Sequence, residues 1–258
     1  MSNRRWTRQE LLVAFGLYDQ IPFGQFHAGN PEIIKFSKLI GRTPSALAMK
    51  LSNIASLDPE ITSTGRIGLS SVSKADREMW QEMQNDCNNF ATEVEGAINS
   101  ILQGSESYIA ENESASEYQD YTGQDRIVPT KTRIGQKFFR KSVLSAYMYR
   151  CCITELAIPE LLVASHIVPW RDDRTNRLNP RNGLALSILH DKAFDRGMIT
   201  INHNMTVRVS PQVFNVRNKF FVTALRSYDG KTIALPDKFQ PREDFLAYHR
   251  ENIFMGNR

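Results

Sequence analysis

Leu161-Leu162-Val163-Ala164-Ser165-His166-Ile167-Val168 is an apolar run that reads as a strand ending in a histidine, and the rest of the C-terminal half is placed from it. A polar loop rich in Asp, Arg and Asn runs from Pro169 to Arg181. Asn182-Gly183 then marks a turn into a second apolar strand, Leu184-Ala185-Leu186-Ser187-Ile188-Leu189. His190 opens a short helical segment, Asp191-Lys192-Ala193-Phe194-Asp195-Arg196, which Gly197 stops in the manner of a C-cap. The order is strand with His, loop with Asn, strand, helix with His. Packing a hairpin on such a helix is expected to bring the end of the first strand beside the helix N-terminus, so that His166 and His190 face one site.

Two groups so placed can divide the work of phosphodiester hydrolysis. One removes a proton from water, and the other fixes a cation on the phosphate oxygens. An asparagine between them can hold the loop by side-chain hydrogen bonds. Taken singly each residue is ordinary: His166 could be a core histidine, His190 a cap and Asn182-Gly183 a turn. Their joint order, in the most basic part of the chain, favours the chemical reading.

The chain has 258 residues, 41% hydrophobic and 23% charged, the composition of a globular protein. No apolar run approaches the length needed to cross a bilayer, and Met1-Ser2-Asn3-Arg4-Arg5-Trp6 leads into no signal-peptide core, so a cytoplasmic protein without a membrane partner is expected. The cysteines are Cys87 and the adjacent Cys151 and Cys152, with no CxxC, which fits neither a disulfide framework nor a zinc knuckle. Net charge is +4 and unevenly spread: residues 103–125 carry six acids and no base, whereas 126–220 carry sixteen Lys and Arg against six Asp and Glu. A basic segment of that size suggests a polyanion partner. The acidic stretch reads as a linker, giving a helical region over 1–102, a linker over 103–125 and a second domain over 126–258.

In the first region Thr7-Arg8-Gln9-Glu10 has capping-box spacing, and Leu11, Phe15 and Tyr18 follow at helical intervals. Asn30-Pro31 and Thr43-Pro44 start two more helices, with Gly41 between them. The third carries Leu47, Ala48, Leu51 and Ile54 on one face and Ser45, Met49, Ser52 and Asn53 on the other. The short Gly41-Arg42-Thr43 connection has the length of a helix-turn-helix turn. A long helix is expected over 74–102, with Trp80, Met83, Cys87, Phe90, Val94, Ile98 and Ile101 as its apolar stripe, packed within the monomer or against a twin in a homodimer.

Residues 5–55, closing with Gly-Arg-Thr-Pro-Ser-Ala-Leu-Ala-Met-Lys-Leu at 41–51, resemble Myb/SANT-like helix-turn-helix domains. That resemblance implies DNA contacts from Arg42, Ser45, Met49, Lys50 and Asn53. Ser165-His166-Ile167-Val168-Pro169-Trp170, Asn179-Pro180-Arg181-Asn182-Gly183-Leu184 and Leu189-His190-Asp191-Lys192-Ala193-Phe194-Asp195-Arg196-Gly197 resemble the HNH nucleases of the ββα-metal fold, nearest to the branch found in restriction and defence proteins. The likeness extends over about 126–255 and takes in Arg133-Ile134-Gly135-Gln136 and Arg150-Cys151-Cys152.

The expected fold is therefore α+β, a helical domain followed by a ββα-metal domain. The resemblance implies a metal-dependent endonuclease acting on double-stranded DNA in restriction, leaving 5′-phosphate and 3′-hydroxyl ends. It makes His166 the general base, Asn182 the residue that orients the loop and His190 a ligand of a divalent ion, Mg²⁺ foremost, with Mn²⁺, Ni²⁺ or Zn²⁺ as alternatives. Arg181 and Arg196 are expected to meet DNA. Ser165 departs from the pattern, because many such enzymes carry an Asp or a second His there as a ligand. The second protein ligand is then Asp195, Asp172 or Asp173, in that order, or His166 itself. The rival reading is a DNA-binding protein on an inactive HNH scaffold. His203 reads as a hairpin tip between 198–201 and 206–209, His249 lies outside the motif, and Cys151 reads as core.

Overall fold

The computed structural model describes residues 4–65, 72–103 and 130–256. The acidic segment, apart from Gln103, lies outside them, as do the side chains of Arg133 and Ile134. Three capped helices come first: α1 (Arg8–Gln20), α2 (Pro31–Leu39) and α3 (Pro44–Ala55). At α1 the Glu10 amide donates to Thr7 Oγ1 (3.3 Å) and the Thr7 amide donates to Glu10 Oε2 (2.9 Å), a closed capping box. Asn30 and Thr43 cap the next two, each followed by proline in the first turn, where a missing N–H costs nothing. The three helices pack on one another, with Leu47, Leu51 and Ile54 of α3 fully buried.

The single helix expected over 74–102 is two helices. After the short α4 (Pro59–Thr62), α5 (Lys74–Asn85) ends at Asp86, and α6 (Cys87–Gln103) starts directly after it. Asp86 leaves the helical region (φ −146°, ψ 79°), and its side chain accepts the Asn89 amide at 2.9 Å. A short carboxylate that can cap the next turn competes with the continuous helix ladder, and here the cap wins. The stripe itself faces inward: Trp80, Met83, Phe90 and Val94 are buried, and Ile98 and Ile101 pack against the same core. This face is filled within the monomer, and its reading as a dimer surface loses its support.

Helix α7 (Thr130–Ala146) joins the two halves by packing on α1, on α6 and on the hairpin of β1 (Leu162–His166) and β2 (Gly183–Ser187). The buried apolar side chains form one continuous core across both halves. Polar braces run alongside it. The buried Lys238 ammonium donates to the carbonyls of Tyr18, Asp19 and Ile21 at the C-terminal end of α1, where a helix accepts cations best. The Glu60 carboxylate takes Arg181 and the Gln240 amide, and Ser145 Oγ donates to the Asp19 carbonyl.

Beyond the hairpin come α8 (Ile188–Asp195), then β3 (Ile199–Ile201) paired with β4 (Val207–Val209) around an exposed His203. The chain continues through α9 (Pro211–Phe214), α10 (Lys219–Ala224) and α11 (Glu243–Asn252). The fold is α+β, mostly helical with two small antiparallel sheets. Among the described residues no helix is long and apolar enough to cross a membrane.

Three of the five residues expected to face DNA are occupied elsewhere. Arg42 pairs with Glu10, donates to the Arg4 and Arg5 carbonyls, and stacks on Trp6. Lys50 is buried against the fully buried Asp76 (2.8 Å), and Asn53 is buried as well. The resemblance placed them at DNA, but Glu10 of α1 and Asp76 of α5 take the two cations, and Asn53 is covered. Ser45 and Met49 stay exposed on α3. Lys50→Met is accordingly expected to strand the Asp76 charge and cost about 3–5 kcal/mol. That corresponds to a melting point lower by roughly 10 °C in a chain of this size. An unchanged melt with weakened DNA binding would return Lys50 to the interface.

Candidate active site

The hairpin pairs Leu162 with Ser187 and His166 with Gly183. An antiparallel pair sets the end of its second strand beside the start of its first, so α8 begins at the Leu162 end of the hairpin and not beside His166. That reverses the expected juxtaposition. The helix also begins earlier than its sequence suggests, at Ile188. Ser187 Oγ accepts the His190 amide and so draws Ile188 and Leu189 into the first turn. From there α8 packs across both strands, and Gly197 (φ +66°) closes it as expected.

His166 is fixed on three sides. Its ring stacks on Phe139 of α7 (3.9 Å between centroids, 8° between planes) and meets the Trp170 ring edge-on at 5.5 Å. Its Nε2 lies 2.9 Å from the Arg177 carbonyl. A carbonyl can only accept, so Nε2 carries the hydrogen and Nδ1 carries the lone pair in the neutral ring. Burial pulls the His166 pKa below its ordinary value, with the nearby Arg177 charge acting the same way and the carbonyl bond opposing them. The ring is therefore neutral near pH 7. Gly183 permits this contact with α7, since a Cβ there would stand 2.4 Å from Val143 Cγ2 and 3.0 Å from the Phe139 ring.

Asn182 closes the loop. Its Oδ1 accepts the Val168 amide (2.8 Å), and its Nδ2 donates to the Val168 and Asn176 carbonyls (3.2 and 3.3 Å). Arg177 lies over the Trp170 ring and donates to the Trp170 carbonyl. Asp173 is consumed by a turn, accepting from Thr175 and Asn176, and Asp172 is exposed beside Arg171. Neither carboxylate is brought to His166 by these contacts. Arg181 is the brace to Glu60, whereas Arg196 is exposed at the end of α8.

On α8 the structure divides two neighbours. The His190 ring is buried, with Nδ1 2.8 Å from Ser187 Oγ and its face meeting the Tyr228 ring edge-on at 5.4 Å. Burial lowers its pKa, and the Ala224 carbonyl opposes this. Asp191 lies one residue on, about 100° around the helix, and turns instead toward β1. Burial raises its carboxyl pKa, and the nearby Ser165 hydroxyl and the Lys192 charge oppose this. Asp195, one turn further along, is pushed up to about 6, first by desolvation and then by the Asp191 charge. Residues four apart on a helix share a face, so Asp191 and Asp195 line one side of α8, with Asp191 toward Ser165. Asp191 was missed in the sequence, although the spacing in Asp191-Lys192-Ala193-Phe194-Asp195 shows the pair.

Residues 151–202 match the HNH endonuclease family model. The matched segment covers β1, the loop, β2, α8 and β3, supports an HNH nuclease reading, and does not reach the N-terminal helices. No curated protein matches the chain. HNH nucleases generally use a divalent metal. Among the described residues, no three His, Cys, Asp or Glu side chains gather as a metal cluster. The Asp191 and Asp195 carboxylates beside Ser165 still fit such an ion, because burial raises the proton affinity of both and the Asp191 charge raises that of Asp195 further, which a cation would relieve, and their donors are the hard oxygens that Mg²⁺ and Mn²⁺ take.

His249, outside the HNH region, is structural. It stacks on Phe194 and bonds Thr200 Oγ1 and the Phe194 carbonyl, and burial takes its pKa down to about 4.

Proposed function

We propose that this chain is a metal-dependent endonuclease that hydrolyses phosphodiester bonds in double-stranded DNA, with restriction of foreign DNA as its setting. The observation that carries the reading is His166: neutral, clamped by Phe139 and Trp170, with one ring nitrogen tied to the Arg177 carbonyl and the other left as a base. Its Nδ1 would take the proton of the attacking water, while Asn182 keeps the 168–182 loop, and with it the ring, in one place. Asp191 and Asp195, with the Ser165 hydroxyl, would hold a divalent cation, most suitably Mg²⁺ or Mn²⁺. When bound, that ion supplies charge neutralisation for the phosphate and the departing oxygen. Ni²⁺ or Zn²⁺ would need a nitrogen of the His190 ring, whose Nδ1 is held by Ser187 Oγ. Of the residues expected to meet DNA, Ser45 and Met49 on α3 and Arg196 after α8 are exposed for such contact.

A plasmid-cleavage assay with and without Mg²⁺ tests the proposal, and binding without cleavage in every metal would leave the inactive-scaffold reading standing. One base serves one strand per encounter, so nicked circles should build up before linear product. The pH profile is a second check. A base whose pKa is lowered stays unprotonated further into acid, so the rate at fixed metal should hold down through the ordinary imidazole value and fall only as pH drops below it. A fall centred above that value would remove His166 from the base role.

A further inference from the structure

The run 214–220, Phe-Asn-Val-Arg-Asn-Lys-Phe, is exposed at every position. Phe220 is 67% exposed, with Val216 and Phe214 beside it at 41% and 38%. Arg217 and Lys219 lie between them, no acid occurs from 211 to 228, and among the described residues neither cation makes an ion pair. The run is held firmly. Asn218 caps α10, Phe221 packs into the core and leaves its neighbour Phe220 outward, and Arg226 donates to the Phe214 carbonyl while lying over the Phe214 ring. It also borders the matched 151–202 segment on the His190 side of α8, since one helical turn, about 6 Å, separates Phe220 from Ala224, whose carbonyl acts on the His190 ring.

We propose that Phe220 is a stacking platform for an unpaired base of the DNA strand engaged at the HNH site, with Arg217 and Lys219 on the flanking phosphates. The inference rests on the nuclease reading above and adds a substrate feature to it. An apolar protein partner would bury both cations without counter-charge, whereas a nucleic-acid strand supplies a phosphate for each and a ring face for the phenyl group. A fully paired duplex shows only base edges and phosphates at its surface. A protruding phenyl ring therefore selects DNA that is locally unpaired.

The test is fluorescence anisotropy of the full chain in EDTA, on a labelled duplex with one unpaired base and on its fully paired counterpart. Phe220→Ala should weaken binding to the unpaired duplex about tenfold, as expected for one lost base–aromatic contact. It should barely change the paired duplex, and Phe220→Tyr should restore the difference. Replacing Arg217 and Lys219 together by Gln should lower the salt slope by roughly 1.5, the contribution of two phosphates. Equal affinities for parent and Phe220→Ala on both DNAs, or equal losses on both, would overturn the stacking proposal and leave the nuclease reading untouched. A parent protein that binds neither DNA at low salt would overturn both.

Discussion

His166→Ala is expected to abolish detectable cleavage while leaving affinity for duplex DNA close to that of the parent. A positioned general base contributes on the order of 10²–10⁴ in rate, and nothing else in the described loop can replace it. The loop's acids, Asp172 and Asp173, are exposed beside Arg171 and locked in a turn, respectively. Binding is expected to draw instead on phosphate contacts spread over many cations, none of which depends on the imidazole. The alanine would also leave the Arg177 carbonyl and the Phe139 face without their partner. His166→Gln, with an amide that can still donate to that carbonyl, separates chemistry from loop order. Both variants should be inactive, and gel-shift affinities should stay within a few-fold of the parent. Undiminished nicking by purified His166→Ala protein would end the assignment.

The second large effect is expected at Asp191. Loss of an outer partner of a metal ligand costs about 10–100-fold in metal affinity, and loss of a ligand itself should cost at least that. In calorimetric titrations with Mn²⁺, Asp191→Ala and Asp195→Ala should therefore lose most of the binding heat. His190→Ala should keep it and instead melt earlier, having lost the packing of a buried ring on Tyr228 and its bond to Ser187, a change of about 1–3 kcal/mol. The opposite pattern, with His190→Ala silent to metal and Asp191→Ala unchanged, would return the ligand role to the histidine and make Asp191 a partner of Ser165 alone.

How far the sequence could be read depends on where each residue finds its partner. The order of strand, loop, strand and helix, the capped helices α1, α2 and α3, the stop at Gly197 and the hairpin around His203 were all legible, because caps, turns and periodicity act over a few residues. The loop spanned by Asn182 was legible for a related reason: its contacts at Val168 and Asn176 lie within the motif itself. The break at Asp86 is also local, but continuous apolar periodicity across 74–102 masked a single capping carboxylate.

Tertiary structure decided the rest. Helical phase puts Asn53 on the outward side of α3, and the resemblance adds Lys50 and Arg42 as DNA contacts, yet Glu10 and Asp76 come from distant helices to take the two cations, and the fold buries the amide. The choice between His190 and Asp191 is of the same kind. Neighbouring residues on a helix point about 100° apart, so only one of them can face Ser165. Which one does so is set by the antiparallel register of the hairpin and by the packing of α10 and Tyr228 against the other side. The sequence by itself determined which elements form and which polar groups they carry. The packing of distant elements determined which of those groups share a site, because a side chain's surroundings are fixed by segments that only folding brings together.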